Sequence, residues 1–237
     1  MGTQYNFSTI TYEIIRKRRK TIGIKITSNG EVIITSPFGV SEETIKSIIN
    51  KKQKWITDKV ALIKQANFSQ SGVLENGKRF LFLGKELELE IIKIDGPIGH
   101  AKIEDEKIKV FINSSSISSD NTIVSAIINL YRKEAARLFK ERTDIYSKML
   151  GVRPKRIFVK DQKTLWGSCS SKRNINYNYR IIMAPISIID YIVVHELCHL
   201  IHMNHSKEYW NIVKSVLPDY EKRRKWLKDN GHVLRIL

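Results

Sequence analysis

One short segment constrains this chain more than any other part of its sequence. Residues 195–199 read His-Glu-Leu-Cys-His, and a further histidine follows at position 205. Residues four apart lie on the same face of an α-helix, so the spacing of His195 and His199 lets two imidazoles reach one metal ion. Glu196 lies one residue around from that pair and can act on a water molecule beside the metal without binding the metal. The spacing therefore predicts a metal centre with a nearby base.

The third ligand is less tightly specified by spacing. Hydrolytic zinc sites use three protein ligands and keep one position open, and His205 is the leading candidate. His205 follows His199 by six residues, the separation found in the metzincin pattern. However, His202 replaces the glycine of that pattern, and no methionine follows His205. The rival donors are Asp219 and Glu221, which lie 20 and 22 residues beyond His199. We assign His202 a role toward the substrate or in supporting the ligands.

The surroundings of the motif favour a metal over histidines that are merely packed in a core. Residues 188–194 are strongly apolar, which predicts a helix buried through the middle of a domain, and Pro185 suits its first turn. A buried histidine or glutamate without a partner would be costly. Cys198 lies off the ligand face and is interpreted as a small buried hydrophobe, whereas the role of Cys169 stays open.

Composition and charge limit the class of protein. The chain has 237 residues with 42% apolar residues, enough for one large core or two small ones. We find no secretory signal and no membrane-spanning run, and two cysteines are too few for a disulfide framework, so we expect a cytoplasmic location without membrane contact. The net charge is +17, and residues 151–180 hold eight basic side chains and one acidic one. This excess predicts either a nucleic-acid partner or a solvated face.

Residues 1–118 are predicted to form a β-rich subdomain with one helix. Strands over Thr21–Thr27 and Glu31–Ser36 flank Asn29-Gly30, a pair typical of tight hairpins, and Ser41 marks the start of a helix that continues to Ile63. Further strands are expected at three places, with a turn at residues 95–97 among them: Arg79–Leu83, Leu87–Lys93 and Lys107–Ile112.

Residues 119–237 are predicted to form the second subdomain, after a Ser-rich boundary at 113–120. A long amphipathic helix over Thr122–Leu150 ends at Gly151, and a short strand follows at Ile157–Val159. Apolar and polar residues alternate strictly through 175–181, which predicts a strand with Asn176, Asn178 and Arg180 on its outer face. The metal helix, a helix after Ser206 and a last basic helix complete an α+β chain.

Several blocks together resemble the YgjP-like family, a group of zinc metallopeptidases related to SprT and the DNA-linked WLM proteases. The blocks are Trp166-Gly167-Ser168-Cys169-Ser170, the strand Asn174–Ile182, the Pro185 helix entry, the 195–199 motif, and Asn204-His205-Ser206 with Trp210. The resemblance implies a zincin-like minimal catalytic half behind a β-rich N-terminal half. It also implies Zn²⁺ held by His195, His199 and His205, with Glu196 as general base.

These observations predict a zinc-dependent metallopeptidase acting on a peptide or protein substrate, with a possible nucleic-acid partner. Glu196 accepts the proton of water and passes it to the leaving amine. The resemblance to zincins implies that the strand Asn174–Ile182 forms the upper rim of the cleft, where an extended peptide adds as another strand. Candidates to stabilise the oxyanion are Arg180, His202 and Tyr209, although a surface charge and a core aromatic are the simpler interpretations of the first and last.

Two other functions stay open at this point. A metal-dependent hydrolase of nucleotides would use the basic segment 151–180 to bind its substrate. A nucleic-acid-binding module would use the metal only to stabilise its fold. The basic clusters Arg16–Lys20 and Lys222–Lys225 can contact phosphates, although such runs are usually solvated. Trp166 and Gly167 are interpreted either as structural residues or as residues that shape the cleft.

Overall fold

The computed structural model describes residues 3–7, 10–27, 30–70, 74–95, 99–114, 120–162 and 164–235. Within these ranges the chain forms six α-helices and three mixed sheets. It divides into two compact units, Met1–Gly72 and Val73–Arg235. The second unit thus begins well before the predicted boundary at residue 119, because the strands between residues 79 and 113 share one apolar core with the later helices. Residues 115–119 of the Ser-rich segment lie outside the described residues.

The first unit contains a four-stranded sheet of β1 (Thr3–Phe7), β2 (Ile10–Arg16), β3 (Gly23–Ile26) and β4 (Val32–Ser36) in the order β1-β2-β4-β3. The antiparallel pairing of β3 with β4 confirms the predicted hairpin. Gly30 has a φ of 81°, a conformation that glycine adopts without strain. Asn29 lies outside the described residues. Strands β1 and β2 were not predicted.

Two helices cover the core of the first unit. Helix α1 (Glu42–Lys51) begins at the predicted cap, since Ser41 Oγ accepts a 3.3 Å hydrogen bond from the backbone N–H of Thr44. The single helix predicted from residue 41 to 63 is instead interrupted at Lys52, and α2 (Gln53–Gln70) follows. The side chain of Ile63 lies outside those described. The buried side chains of both helices join those of the sheet in one core made of Tyr12, Ile14, Val32, Ile34, Ile45, Ile49 and Ile56.

The second unit opens with another four-stranded sheet. Its strands are β5 (Arg79–Phe82), β6 (Lys85–Ile94), β7 (His100–Glu104) and β8 (Lys107–Asn113), in the order β5-β6-β8-β7. Three of them were predicted. Strand β7 was missed because polar side chains occupy its exposed positions and only small or medium apolar residues lie between them. Positions 96 and 97 of the predicted turn lie outside the described residues.

Helix α3 (Asp120–Leu150) crosses the second unit and ends at the predicted Gly151, whose φ is 63°. Beyond it, β9 (Arg156–Lys160), β10 (Gly167–Cys169) and β11 (Asn174–Asn178) form a three-stranded sheet in the order β10-β11-β9. Strand β11 is antiparallel to β10 and parallel to β9. Because β11 lies in the middle, both of its edges are already paired.

The predicted strand from Asn174 to Ile182 is wrong in its second half. The chain leaves the sheet at Asn178 and forms a 3-10 helix over Tyr179–Met183. The side chain of Asn178 causes this change: its Oδ1 accepts from the N–H of Arg180 at 3.2 Å, and its Nδ2 donates to the carbonyls of Gln162 and Leu165. Asn178 is therefore buried, not on the outer face as predicted.

Helix α4 (Ile186–Cys198) begins directly after Pro185, and residues 188–194 are all buried, as predicted. Arg142 of α3 binds Asp190 of α4 with two hydrogen bonds of 2.6 and 2.8 Å, which fixes the two helices together. Helices α5 (Lys207–Val216) and α6 (Tyr220–Asn230) complete the unit. Among the described residues, no helix combines the length and apolar character needed to cross a bilayer.

Candidate metal centre

The first two histidines of the motif lie at the end of α4. His195 is in the last turn of the helix, and His199 is its C-terminal cap, still with helical φ and ψ. Their imidazole rings are perpendicular, with centroids 5.0 Å apart. The four-residue spacing therefore brings both rings to one face of the helix, as the sequence predicted.

His205 approaches from the loop between α4 and α5. It directly precedes Ser206, the cap of α5, whose Oγ accepts a hydrogen bond from the N–H of Tyr209. The Nε2 atoms of His205 and His195 are 3.2 Å apart, and one ring nitrogen from each of the three histidines lies within 4.8 Å of the others. Two nitrogens bound tetrahedrally to zinc are separated by roughly 3.3 Å. The three imidazoles can therefore share one divalent ion.

Burial keeps the imidazoles of His195 and His199 uncharged, which is the form that binds a metal. Burial, together with the charges of His199, His205 and Arg224, lowers the pKa of His195 to about 3. The pKa of His199 is also lowered, mainly by burial. Because neutral imidazole offers a lone pair to a cation, both rings are ready ligands near neutral pH.

The second ring nitrogen of His199 is held by the backbone. Its Nδ1 lies 3.2 Å from the carbonyl oxygen of His202, so Nδ1–H donates there and Nε2 is left for a metal. His202 thus supports the site through its main chain. Cys198 is fully buried, and burial raises the pKa of its thiol to about 12, which confirms its interpretation as a small apolar residue.

Glu196 has an unusual environment for a carboxylate. Its side chain is only 3% exposed, and its Oε2 has no hydrogen-bond partner among the described residues. Burial raises the pKa of this carboxyl group to about 8. A carboxyl group in such surroundings is costly for the fold and suits proton transfer near neutral pH.

Gly167 of β10 makes room for this carboxyl group. A Cβ atom at position 167 would lie 2.5 Å from Glu196 Oε1 and 2.8 Å from Glu196 Cδ and Cγ, far inside normal contact distances. Trp166, the preceding residue, packs elsewhere: a Cβ on Gly231 at the end of α6 would lie 3.1 Å from Trp166 Cζ2. The Trp-Gly pair therefore has one packing residue and one residue that shapes the site.

Tyr209 of α5 lies against all three imidazoles. Its ring centroid is 5.5 Å from that of His195, 4.7 Å from that of His199 and 4.8 Å from that of His205. Its hydroxyl donates a 2.9 Å hydrogen bond to the carbonyl of His195, and the side chain is fully buried. The suggestion that Tyr209 stabilises an oxyanion is therefore wrong, because its hydroxyl is used within the fold.

An aromatic stack borders the exposed histidine. Trp210 lies nearly parallel to His205, with centroids 5.5 Å apart, and nearly parallel to Tyr220, with centroids 5.3 Å apart. The guanidinium of Arg224 lies 5.0 Å from the centroid of the same indole. Trp210, interpreted from the sequence as packing, thus packs directly on a candidate ligand.

The rival ligands and the remaining oxyanion candidate are engaged elsewhere. Asp219 precedes α6 and accepts a 2.9 Å hydrogen bond from Arg223 Nε, while Glu221 accepts one from the Tyr220 hydroxyl. Neither belongs to the histidine cluster. Arg180 forms an ion pair with Asp161 and lies over the ring of Tyr179, so it is a structural charge.

Comparison with known proteins agrees with this geometry. The model of the YgjP-like metallopeptidase domain matches residues 20–230, whereas no curated protein sequence matches the chain. The crystal structure of the metallopeptidase zymogen of Pyrococcus abyssi abylysin shares 20% sequence identity with this chain. The match covers 38% of this chain and 93% of the abylysin chain. Its TM-score is 0.35, which is too low for an argument about fold. A metallopeptidase family supports a metal-dependent peptidase function and implies a divalent metal. The chain belongs to the YgjP-like metallopeptidase family.

Proposed function

We propose that this chain is a zinc-dependent metallopeptidase with a zincin-like catalytic half. In this proposal His195, His199 and His205 hold the zinc ion, and Glu196 is the general base. One observation carries it: three imidazoles converge within 4.8 Å beside a buried carboxyl group whose Oε2 has no hydrogen-bond partner among the described residues. A metal that merely stabilised a fold would not require that carboxyl group, and burying it would be a net cost.

The ligand set suits zinc among divalent metals. Three imidazoles without a carboxylate are poor ligands for magnesium or calcium, which prefer oxygen. Zinc held in this way acts as a Lewis acid on a carbonyl and lowers the pKa of water. His195 and His199 are partly buried, and charge interactions are stronger in such surroundings than in bulk water.

Glu196 carries the proton during hydrolysis. Its carboxylate accepts a proton from the attacking water as the water oxygen bonds to the scissile carbonyl carbon. When the carbon–nitrogen bond breaks, Glu196 delivers that proton to the leaving amine, so the carboxylate is regenerated. The Oε2 atom of Glu196 suits the first step, because no hydrogen bond within the described residues competes for it.

Strand β10 replaces the rim strand that the sequence suggested. In its antiparallel pairing with β11, the backbone N–H of Asn178 bonds to Trp166 and that of Ser170 to Asn174. Because hydrogen-bonded positions alternate along such a pair, the N–H and C=O groups of Gly167 and Cys169 point to the other edge of β10. Glu196 lies against Gly167 of this strand. We propose that an extended peptide adds to the outer edge of β10 as a fourth strand.

Strand β9 gives a specific reason to retain a nucleic-acid partner. Arg156, Phe158 and Lys160 alternate on its exposed face, and Phe158 is 38% exposed. An aromatic ring between two cations is the arrangement that binds single-stranded nucleic acid, by stacking of a base and pairing with phosphates. We propose that this face holds a nucleic-acid strand while the metal centre acts on protein.

The catalytic proposal is tested by metal analysis and a peptide library. We expect one zinc per chain, cleavage of peptides, loss of zinc in His205→Ala and retention of zinc in Asp219→Asn. Glu196→Gln should keep its zinc and lose turnover. Cleavage of a nucleotide panel without any peptide would support the nucleotide-hydrolase alternative, and a Glu196→Gln variant with no functional change would support a structural metal.

The nucleic-acid proposal is tested with a fluorescent oligothymidylate and its salt dependence. Phe158→Ala removes one stacking ring and should weaken binding of the oligothymidylate about tenfold. Phe38→Ala is the matched control, because Phe38 is an aromatic side chain that is 71% exposed in the first unit. Equal effects of the two substitutions would contradict a specific role for β9.

A further inference from the structure

Helix α6 carries four consecutive cations, Lys222–Lys225, and the surroundings of the last three differ. Arg223 donates from Nε to Asp219 at 2.9 Å and from a terminal nitrogen to the carbonyl of Ser187 at 3.0 Å. Lys225 donates to Asp229 at 2.6 Å. Both cations are therefore neutralised by carboxylates one helical turn away, in the i,i+4 geometry that helices favour.

Arg224 has no such partner. Among the described residues it forms neither an ion pair nor a hydrogen bond, and its side chain is exposed. Its guanidinium instead lies over the indole of Trp210, at 5.0 Å from the ring centroid. Because a contact with a ring face uses no N–H group, the donors of this guanidinium stay available.

The position of Trp210 brings this cation to the metal centre. The indole of Trp210 stacks on the imidazole of His205, with their centroids 5.5 Å apart and their planes at 23°. The indole of Trp210 therefore contacts both the guanidinium of Arg224 and the exposed candidate ligand His205. The stack also restricts the guanidinium, which lowers the entropy lost when it binds a ligand.

We propose that Arg224 forms an anion-binding subsite beside the metal centre, which takes a carboxylate or phosphate group of the substrate. This inference rests on the proposed hydrolytic function of the same centre. A guanidinium matches both groups because two parallel N–H donors can bind two oxygens. The substrate therefore carries an anionic group close to the bond that is cleaved, such as the terminal carboxylate of a peptide, an acidic side chain or a phosphate.

The test compares Arg224→Gln with Lys225→Gln in zinc-loaded protein. Both substitutions remove one positive charge from an exposed position of α6, but Lys225 is already paired with Asp229. The substrates are peptides of identical sequence that end in a carboxylate or in an amide, together with phosphoserine peptides. We expect Arg224→Gln to raise KM about tenfold or more for one anionic series and less than twofold for the amides. Lys225→Gln should change each KM by less than twofold.

The peptide series whose KM rises in Arg224→Gln identifies the anionic group that Arg224 binds. A response limited to peptides with a terminal carboxylate identifies an exopeptidase-like subsite, and a response limited to phosphoserine peptides identifies a phosphate subsite. Equal losses in Arg224→Gln and Lys225→Gln, or equal losses for charged and amidated peptides, would overturn the proposal. Loss of zinc in Arg224→Gln would also overturn it, because Arg224 would then act on the ligands through Trp210.

A calorimetric titration separates this inference from the proposed function. Inorganic phosphate and acetate are titrated separately into zinc-loaded wild-type, Arg224→Gln, Arg224→Lys and Lys225→Gln proteins. We expect weaker binding of at least one anion in Arg224→Gln, partial recovery in Arg224→Lys and no change in Lys225→Gln. This pattern would stand even if no peptide were cleaved. Binding of both anions that is equal in all four proteins would refute the subsite.

Discussion

Replacing Gly167 with alanine tests the relation between β10 and the proposed base. The added Cβ would lie 2.5 Å from Glu196 Oε1 and 2.8 Å from its Cδ and Cγ, whereas carbon atoms normally approach to about 3.5 Å. Either the carboxyl group or the strand must therefore move by up to roughly 1 Å. Glu196 is buried on all sides, so neither movement is free.

We expect this displacement to lower kcat/KM about 100-fold, since a catalytic group misplaced by 1 Å loses about that factor. The loss corresponds to about 2.7 kcal/mol of transition-state stabilisation. Zinc content should stay at the wild-type level, because the three atoms nearest to the added methyl group all belong to Glu196 and none to a candidate ligand.

The assay measures steady-state cleavage of a peptide found in the library screen, with zinc determined on the same samples. Gly39→Ala is the control: it adds the same methyl group at a position where nothing lies within 4 Å. Gly167→Ala should also have little further effect in Glu196→Gln protein, because both changes act on one carboxyl group.

Two results would refute this reasoning. Wild-type kcat/KM in Gly167→Ala would mean that Glu196 adapts to the methyl group or does not act in catalysis. Loss of zinc in parallel with activity would mean that position 167 supports the ligands and not the base. A decrease in stability alone, with kcat/KM unchanged per folded molecule, would assign Gly167 a purely structural role.

Three further predictions concern the same unit. In metal-free protein the pKa of Glu196 is about 8 against an ordinary 4.5, so stability that is present below pH 4.5 is lost as pH rises through 8. The loss is up to about 5 kcal/mol, and urea unfolding of Glu196→Gln should lack it. Tyr209→Phe removes the hydrogen bond to the His195 carbonyl and should weaken zinc binding about fivefold in chelator competition. An unchanged zinc affinity would show that this hydrogen bond does not position His195. Arg142→Met leaves the buried carboxylate of Asp190 without its cation and should cost about 3 kcal/mol in thermal unfolding. Part of this loss should be recovered in Arg142→Met/Asp190→Asn, and full additivity of the two changes would be evidence against the pair.

The histidine cluster was predictable because most of it is local. The positions of His195 and His199 follow from the period of an α-helix, which is a property of the backbone itself. His205 follows after a short loop, so its reach was limited to the end of α4. Spacing alone could not exclude Asp219, since only the folded chain pairs that carboxylate with Arg223.

The end of β11 could not be predicted from alternation. Apolar residues continue at every second position through Ile181, so the pattern has no break at Asn178. The break comes from side-chain hydrogen bonds of Asn178 to backbone groups at positions 162, 165 and 180. Such bonds compete with a β-ladder, and two of them involve residues that are distant in sequence.

The roles of Gly167 and Tyr209 also depend on contacts between distant segments. The Trp-Gly block identifies position 167 as important, but the neighbour that requires glycine is Glu196 on another element. Helical spacing places Tyr209 in an apolar stripe, but the acceptor of its hydroxyl is the carbonyl of His195. In both cases the sequence supplies the residue, and the packing of α4 against β10 and α5 supplies its partner.

Burial couples the proposed metal and the proposed base in one site. The low dielectric around α4 keeps His195 uncharged and, in the metal-free chain, also favours a protonated Glu196 near neutral pH. A divalent cation between the imidazoles would reverse the second effect, because a positive charge close to a carboxyl group favours its ionised form. The base would then be ionised only when the metal is present. Glycine at position 167 leaves room for the carboxyl group but offers it no side-chain hydrogen bond, and Glu196 Oε2 has no hydrogen-bond partner among the described residues. This environment fits the coupling, since a carboxylate held by fixed hydrogen bonds would be ionised with or without a metal.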